Sequence, residues 1–401
     1  MKVLVINSGS SSIKCTLFQM PEQRALARCD LDRIGEDEST IAFSSDDRDF
    51  QHECDADDHG EGLDTVLDAF SQCGDSVLGG LDEIGAVGHR VVHGGEEIAQ
   101  STKVDREVIR IIRENFELAP LHNPPNMRGL EAALYRLPDT PQVAVFDTAF
   151  HRSIPPRAFL YALPYELYEN HRLRRYGFHG TSHEYVAQRA AEMLERPFEE
   201  CNLITLHLGN GCSATAVKEG KSVDTSMGLT PLEGLVMGTR SGDGDPALPY
   251  FLTTRLDMES EEVYELLNRK SGLLGLSGVS NDMREILQES ENGSERATRA
   301  LEVFCYRLKK YIGAYTAVLG DVDGIVFTAG IGENCPEVRS LACGELEGLG
   351  IEVDENRNAE VHGEEAIISK DSSPTALLVI PTNEELKIAI DTYELCRDEN
   401  E

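Results

Sequence analysis

Residues 3–18, VLVINSGSSSIKCTLF, decide the fold that we predict for this chain of 401 residues. An apolar run, a turn of Gly and Ser, and an alternating run predict a β-hairpin. Residues 203–217, LITLHLGNGCSATAV, follow the same order around a turn of Gly and Asn. The recurrence of strand, turn and strand in both halves indicates the duplication of one α/β unit.

A second pair of segments extends this predicted repeat. Residues 143–150, VAVFDTAF, and residues 325–334, IVFTAGIGEN, are both apolar strands that end in a small polar or glycine turn. Helical spacing occurs between the strands, in residues 183–195 and 297–319. Thr181 and Glu184 have the spacing of a capping box for the first of these helices. Strands that alternate with helices predict α/β layers with mixed or parallel sheets.

The composition is globular and strongly acidic. Hydrophobic residues make up 40%, charged residues 27%, and the formal net charge is −34. This charge argues against a nucleic-acid or anionic membrane partner, because both need a basic surface. No signal peptide, membrane-spanning run or Cys-x-x-Cys pair occurs, so we expect a cytoplasmic protein with ten reduced cysteines.

Two glycine loops suit an anionic ligand. Gly209-Asn210-Gly211 and Gly330-Ile331-Gly332-Glu333-Asn334 each follow an apolar strand, and the second should precede a helix. Glycine lets backbone N–H groups approach phosphate oxygens closely, and helix N-termini favour negative charge. Three other motifs are absent from the sequence. Thr215 replaces the first glycine of a Walker A loop. The Gly-x-Gly-x-x-Gly pattern of Rossmann dinucleotide sites and the Gly-x-Ser-x-Gly pattern of α/β-hydrolases do not occur.

Scarce basic residues stand in glycine-flanked loops of this acidic chain. Arg90, His122, His179 and Arg240 are candidates for phosphoryl transfer, which needs cations around the moving group. A zinc site at His179 and His183 is the alternative, but Gly180 interrupts the helix that their spacing would require.

Asp147 and Glu384 are the best-placed carboxylates for Mg²⁺. Two structural explanations stay open: Glu384 could complement a helix dipole, and Asp147 could cap a turn.

Several long segments closely resemble the acetate kinase family. Among them are VGHRVVHGGE at 87–96, YGFHGTSHEYVA at 176–187, TPLEGLVMGTRSGD at 230–243 and VIPTNEE at 379–385. This resemblance runs from residue 3 to residue 385. It implies two duplicated actin-like (RNase H-like) domains with a nucleotide cleft between them. The N-terminal domain would be residues 1–150 joined by a C-terminal helix, 384–401, and the nucleotide-binding domain would be 151–383.

The resemblance also implies a function. The enzyme would reversibly transfer the γ-phosphoryl group of ATP to acetate in a direct in-line step, giving acetyl phosphate and ADP. Mg²⁺ or Mn²⁺ would be the cofactor and a homodimer the assembly. Propionate kinase is the alternative, because one methylene in an apolar pocket discriminates by only ~1–3 kcal/mol. An ATP-driven chaperone or actin-type protein would need a further binding module and would leave Arg90, His179 and Arg240 without a purpose.

Individual roles follow from the same resemblance. Catalytic roles are implied for Asp147, His179, Arg240, Arg90 and His122. Substrate contacts are implied for Arg90, Val92, Leu121, Phe178 and Pro231. ATP contacts are implied for Lys14, Ser10, Ser12, His207, Leu208, Gly209, Asn210, Gly211, Asp282, Met283, Arg284, Gly330, Ile331, Gly332, Glu333 and Asn334. Metal contacts are implied for Asn7 and Glu384. Whether Asp147 handles a proton or organises magnesium stays open.

Two residues depart from the family pattern. Cys212 stands where serine or alanine is usual, which predicts a thiol-sensitive activity. Gly244 replaces an aliphatic residue, which we expect to loosen the loop that carries Arg240.

Overall fold

A computed structural model of the chain describes residues 1–36, 38–72 and 77–397. The chain divides into two compact units, Met1–Arg152 with Asn383–Glu401, and Ser153–Thr382. The predicted domains were 1–150 with 384–401, and 151–383. The last helix ends at Cys396, and residues 398–401 of the predicted helix lie outside the described residues, as does Cys73.

The first unit is built on a mixed sheet. Its strands are β1 (Lys2–Ser8), β2 (Ser12–Gln19), β3 (Arg24–Asp32), β4 (Ser39–Ser45), β5 (Asp49–Cys54), β6 (Ile84–Val91), β7 (Thr102–Lys103) and β8 (Gln142–Phe146). They lie in the order β5-β4-β3-β2-β1-β6-β8-β7. β1 is antiparallel to β2 and parallel to β6, which is parallel to β8.

The second unit repeats this arrangement. Its strands are β9 (Asn202–Leu208), β10 (Cys212–Lys218), β11 (Lys221–Thr225), β12 (Gly324–Thr328), β13 (Ala366–Ile367) and β14 (Ala376–Val379). They lie in the order β11-β10-β9-β12-β14-β13. β9 is antiparallel to β10 and parallel to β12, which is parallel to β14.

These two sheets confirm the α/β fold and the duplicated hairpins, but they correct the second pair of segments. By sheet position β12 corresponds to β6, and β8 corresponds to β14. The prediction that matched β8 with β12 was wrong by one strand. Parallel strands that are buried on both faces all look like short apolar runs, so their composition does not disclose their place in the sheet.

The helices connect and cover the strands. They are α1 (His59–Ser71), α2 (Arg106–Glu114), α3 (Asn123–Arg136), α4 (Pro156–Phe159), α5 (Tyr165–His171), α6 (Gly180–Met193), α7 (Leu248–Arg255), α8 (Ser260–Arg269), α9 (Gly272–Ser277), α10 (Met283–Glu291), α11 (Glu295–Leu319), α12 (Ala329–Asn334), α13 (Pro336–Cys343), α14 (Glu355–Glu360) and α15 (Glu384–Cys396). Single 3₁₀ turns occur at Leu81–Glu83, Phe150–Ser153, Phe198–Glu200 and Glu347–Leu349. None of the helices described here is long and apolar enough to cross a bilayer.

One local helix prediction fails, at the start of α6. α6 begins one turn early, with His179 as its N-cap at φ 58°, and the predicted capping box does not form. The Thr181 hydroxyl is buried without a hydrogen-bond partner instead. The segment Gly330–Asn334 does precede a helix, because α13 begins at Pro336, but it is itself helical and lies within α12. The long helix predicted at 297–319 is confirmed by α11.

Both faces of the first sheet are covered, which explains the unbroken apolar run at its start. Leu4 and Ile6 pack in a core with α1, while Val3 and Val5 pack in another with Ile388 of α15. Side chains alternate between the two faces of a strand. Because α15 packs on one of these faces, its N-terminus belongs to the first unit. Glu384 is the first residue of this helix.

Candidate functional site

A buried ion pair stands at the carboxyl ends of two parallel strands in the first unit. Arg90 lies near the end of β6, and Asp147 directly follows β8. Nε of Arg90 donates to Oδ1 of Asp147 at 3.0 Å, and Nη2 donates to Oδ2 at 2.8 Å. The Asp147 side chain is 2% exposed and that of Arg90 is 23% exposed. The Asp147 charge raises the pKa of Arg90, so the guanidinium stays charged.

Glu384 adds a third charge to this pair. Burial raises the pKa of Glu384, Arg90 opposes that rise, and Asp147 and Glu385 add to it. Its Oε1 atom is buried without a hydrogen-bond partner. A buried carboxylate oxygen with no donor, close to a second carboxylate, suits a hard cation such as Mg²⁺. No group of three or more candidate ligands occurs among the described residues, so that ion would keep waters or substrate oxygens as its other ligands.

The β1–β2 hairpin carries the other phosphate candidates of the first unit. Asn7 and Lys14 face each other across the hairpin, and its turn closes with Gly9 N–H donating to the Ser12 carbonyl at 2.8 Å. Ser10 is exposed in this turn, and Ser12 is half-buried.

Asn126 of α3, which the sequence did not single out, ties two candidate segments together. Its Nδ2 donates to the Ser8 carbonyl at 2.7 Å, and its Oδ1 accepts from Val92 N–H at 3.1 Å. The segment LHNPPN, residues 121–126 at the start of α3, could have pointed to it. His122 is the N-cap of α3, and Leu121 beside it is 49% exposed, whereas Val92 is buried.

In the second unit, His179 and Arg240 meet at the Gly209–Gly211 turn. A Cβ added to Gly211 would lie 3.3 Å from Cε1 of His179 and 3.4 Å from both its Nε2 and Nη1 of Arg240. Nη1 of Arg240 donates to the Pro231 carbonyl at 2.9 Å. Glycine at this position therefore lets an imidazole and a guanidinium approach the same turn.

Arg240 differs from Arg90 in having no carboxylate partner in the described part of the chain. Burial lowers the pKa of Arg240, and the groups that oppose this are Cys212 and Tyr264. Within residues 1–36, 38–72 and 77–397, Arg240 forms no ion pair with an acidic side chain. A half-buried guanidinium without an acidic partner favours an anion from outside the chain.

Buried hydroxyls hold the imidazoles of the second unit. Ser213 Oγ lies 2.9 Å from Nδ1 of His179 and 2.7 Å from Nε2 of His183. The His207 ring stacks on that of His179 with centroids 4.2 Å apart, and its Nδ1 lies 2.8 Å from Ser182 Oγ. His179 and His183 thus share a serine hydroxyl and do not form a zinc site. Ser213 was missed by the sequence reasoning.

A cleft of ≈ 570 Å³ in the second unit lies between the two glycine segments. Its lining includes eight of the predicted ATP contacts: Gly209, Asn210, Asp282, Met283, Arg284, Gly330, Ile331 and Asn334. Four further lining residues were not predicted: Asn281, Leu287, Cys335 and Glu337. The size and the glycine-lined wall suit a nucleotide.

The remaining predicted ATP contacts of this unit lie outside that lining. His207, Leu208 and Gly211 belong to the β9–β10 hairpin, where Leu208 is fully buried. Gly332 packs against the backbone of Phe327, where an added Cβ would lie 3.2 Å from its carbonyl carbon. Glu333 Oε1 accepts from Thr382 N–H at 3.0 Å, so its carboxylate supports the segment after β14.

The two departures from the family pattern have different outcomes. Cys212 is fully buried, its Sγ donates to the Gly209 carbonyl at 3.1 Å, and burial raises its pKa to about 12. This burial argues against the predicted thiol sensitivity, because reactivity needs an accessible thiolate. Gly244 is exposed, and the neighbouring Asp243 fixes the loop by accepting from Gly234 N–H and Tyr311 Oη.

Comparisons with known proteins cover almost the whole chain. The model of the acetokinase family matches residues 2–390. An acetate kinase of Syntrophomonas wolfei is 53% identical over 398 residues, which are 99% of this chain and 100% of that protein. The crystal structure of Porphyromonas gingivalis acetate kinase has a TM-score of 0.94 at 44% identity, covering 98% of this chain and 99% of its own. The crystal structure of a propionate kinase from Francisella tularensis has a TM-score of 0.92 at 39% identity. The match covers 98% of this chain and 99% of that protein.

Proposed function

This chain belongs to the acetokinase family, and we propose that it is an acetate kinase, an ATP:acetate phosphotransferase. It moves the γ-phosphoryl group of ATP onto the carboxylate of acetate, giving acetyl phosphate and ADP, and it catalyses the reverse reaction. The observation that carries this proposal is Arg240, a half-buried guanidinium beside His179 with no carboxylate partner among the described residues, in a chain of net charge −34.

In this mechanism the side chains stabilise and position charge. Phosphoryl transfer passes through a loose transition state with negative charge on the equatorial oxygens of the moving group. Arg240 and His179 donate hydrogen bonds to those oxygens, with His122 in a supporting role. Arg90 binds the attacking carboxylate, while Asp147 accepts from its Nε and Nη2 and so fixes the guanidinium plane. The Asp147 role is thus the orientation of Arg90, and its charge beside Glu384 would help to hold a divalent cation.

Mg²⁺ is the proposed cofactor, and Mn²⁺ can replace it. When bound, the ion neutralises charge on the phosphate oxygens. Glu384 would hold it, with Asn7 close by, because Oε1 of Glu384 is buried without a donor. The ATP phosphates would contact Ser10, Ser12 and Lys14, and the nucleotide would occupy the cleft of the second unit. Val92, Leu121, Phe178 and Pro231 would surround the acetate methyl group.

The experiment that tests this function traps the acyl phosphate with hydroxylamine. Purified protein with Mg-ATP is offered acetate, propionate and butyrate in separate reactions, and hydroxamate formation is measured. We expect the highest kcat/KM with acetate. No hydroxamate with any of the acids would reject the proposed function.

Propionate kinase is the second candidate, since the crystal structure of a propionate kinase from Francisella tularensis has a TM-score of 0.92 to this chain. Val92 favours acetate, but only modestly, because one methylene is worth ~1–3 kcal/mol in an apolar pocket. A higher kcat/KM with propionate than with acetate in the same experiment would select this alternative.

We also propose a homodimer. α7 buries none of its residues, and Leu248, Tyr250 and Phe251 are 43%, 73% and 53% exposed. Exposed apolar patches of this kind mark protein interfaces. A Phe251→Glu variant should elute as a monomer in size-exclusion chromatography with light scattering. The proposed compartment is the cytoplasm, where the nine free cysteines of the described chain would stay reduced.

A further inference from the structure

We propose that Ser213 is a positioning residue that fixes which ring nitrogen of His179 carries the proton. This inference rests on the proposed function. Four side chains form a continuous series of hydrogen bonds: Thr205 Oγ1 to Nδ1 of His183 at 2.7 Å, Nε2 of His183 to Ser213 Oγ at 2.7 Å, and Ser213 Oγ to Nδ1 of His179 at 2.9 Å. Thr205, His183 and Ser213 are fully buried.

Two directions of this series let Ser213 donate its proton within it. A third arrangement, in which Ser213 accepts from both rings, would leave its buried proton without an acceptor in the series. A hydroxyl has one proton to donate, and a neutral imidazole has one N–H donor and one acceptor nitrogen. In the first direction Thr205 donates to His183, His183 donates to Ser213, and Ser213 donates to Nδ1 of His179. The proton of His179 is then on Nε2. In the opposite direction His179 donates from Nδ1, and Nε2 presents a lone pair.

The surroundings of His179 select the first direction. Nε2 is on the side of the ring that approaches Gly211 and Nη1 of Arg240. An N–H donor there stabilises the equatorial oxygens of the phosphoryl group, whereas a lone pair repels them. A neutral His179 ring offers this donor only in the first direction.

Rigid elements hold the series in place. Thr205 lies on β9 and Ser213 on β10, where Ser213 is paired with His207 and Thr205 with Thr215. Residues two apart on a strand share a face, so both hydroxyls belong to the sheet face that also carries His207. α6 supplies His183 and begins directly after His179. A supporting hydroxyl on such elements fixes a reacting group better than one on a loop.

The test compares Ser213→Ala with Ser226→Ala as a matched control. Ser226 is equally buried and its Oγ accepts from Ala214 N–H at 2.9 Å, so its loss removes a nearby hydroxyl that does not contact His179. We expect kcat of Ser213→Ala to fall by about 10- to 100-fold, with the KM values for ATP and acetate nearly unchanged. Ser226→Ala should keep the wild-type kcat even if its melting temperature falls.

The second readout does not depend on a variant. Imidazole ¹⁵N NMR of the wild-type protein should show His179 as the neutral Nε2–H tautomer, and Ser213→Ala should give a mixture of tautomers. A wild-type His179 protonated on Nδ1 alone, or wild-type kcat in Ser213→Ala, would overturn the proposal. Absence of hydroxamate in the wild-type assay would reject the proposed function instead, and the NMR spectrum would still decide the tautomer.

Discussion

The two units share one strand order but place different chemistry at equivalent positions. In the first, residues 9–12 connect the paired Ser8 and Ile13, and three of the four are serines. In the second, the glycine-rich turn 209–211 connects Leu208 and Cys212. β6 and β8 end at the Arg90–Asp147 ion pair, whereas the equivalent β12 continues into α12. The scaffold thus fixes where groups converge, and the residues there decide what they do.

The two units differ most clearly in the partners of their arginines, Arg90 and Arg240. Arg90 is held by a carboxylate that belongs to its own unit, while Arg240 donates to a backbone carbonyl and has no acidic partner among the residues that the structure describes. We infer that Arg90 contributes to both stability and function, and that Arg240 contributes mainly to function. The same substitution in both units separates these contributions.

The largest expected effect is on turnover. Arg240→Met should lower kcat by about 1,000-fold or more, because a cation that stabilises the transition state of phosphoryl transfer is worth that much. Hydroxamate production with acetate and Mg-ATP measures it. Arg299→Met removes an exposed arginine of α11 and should change nothing. Near wild-type turnover in Arg240→Met would contradict this difference between the two arginines, since Arg240 would then have no role in catalysis.

The next effect is on stability. Arg90→Met leaves Asp147 buried without its cation and should lower the free energy of unfolding by about 3–5 kcal/mol. Arg240→Met should cost much less, because it leaves no carboxylate behind. Urea denaturation of both variants measures the difference. In the double variant Arg90→Met/Asp147→Asn, part of the loss should be recovered. Equal stability of the two single variants would contradict this account.

Acid sensitivity should arise in the first unit. His89 of β6 is buried, with Nε2 2.6 Å from Gln142 Oε1, and burial lowers its pKa to about 4. Because its pKa in the unfolded chain is about 6.5, the unfolded state takes up the proton first as the pH falls. The stability that His89 contributes is therefore present above pH ~6.5 and decreases toward pH ~4.

The corresponding measurement is urea denaturation at about pH 7 and about pH 5. His89 should account for a loss of about 2 kcal/mol between them, and His89→Gln should show a correspondingly smaller pH dependence. His52→Gln, on the exposed part of β5, serves as the control. An unchanged pH dependence in His89→Gln would assign the acid sensitivity to other groups.

The smallest expected effect is that of thiol reagents on the second unit. Cys212 should resist iodoacetamide in the native protein near neutral pH, since its thiol is buried and its pKa is about 12. Activity should therefore survive treatment. Peptide mass spectrometry identifies the labelled sites, with the half-buried Cys54 as an internal reference. Loss of activity that follows alkylation of Cys212 would restore the thiol sensitivity that its position first suggested.

Local patterns in the sequence predicted the fold well where a single segment carries the information. The hairpins at β1–β2 and β9–β10 follow from turn residues between apolar runs, and α11 follows from its periodicity. The prediction that β8 and β12 occupy equivalent sheet positions was wrong, because the sequences of buried parallel strands resemble one another. The capping box at Thr181 failed because His179 adopts a left-handed conformation that begins α6 earlier.

The charged residues of the candidate site could be predicted from the sequence, but the hydrogen bonds that connect them to other side chains could not. Arg90, Asp147 and Glu384 are conspicuous as charges after apolar strands or at a helix start. Asn126 and Ser213 were missed because their importance lies in partners that are distant in sequence, and an isolated Asn or Ser in a helix or strand gives no local signal. Long-range hydrogen bonds of this kind become visible only when the chain is folded.

The return of α15 to the first unit has a consequence for biosynthesis. On the ribosome, β1, β6 and β8 are complete before any residue of the second unit has been made, yet Ile388 and Ala389 cover one face of their sheet. The apolar face formed by Val3, Val5 and Val145 therefore stays exposed until α15 has left the exit tunnel. The first unit to be translated is thus the last to be finished, and during that interval its exposed apolar face favours aggregation.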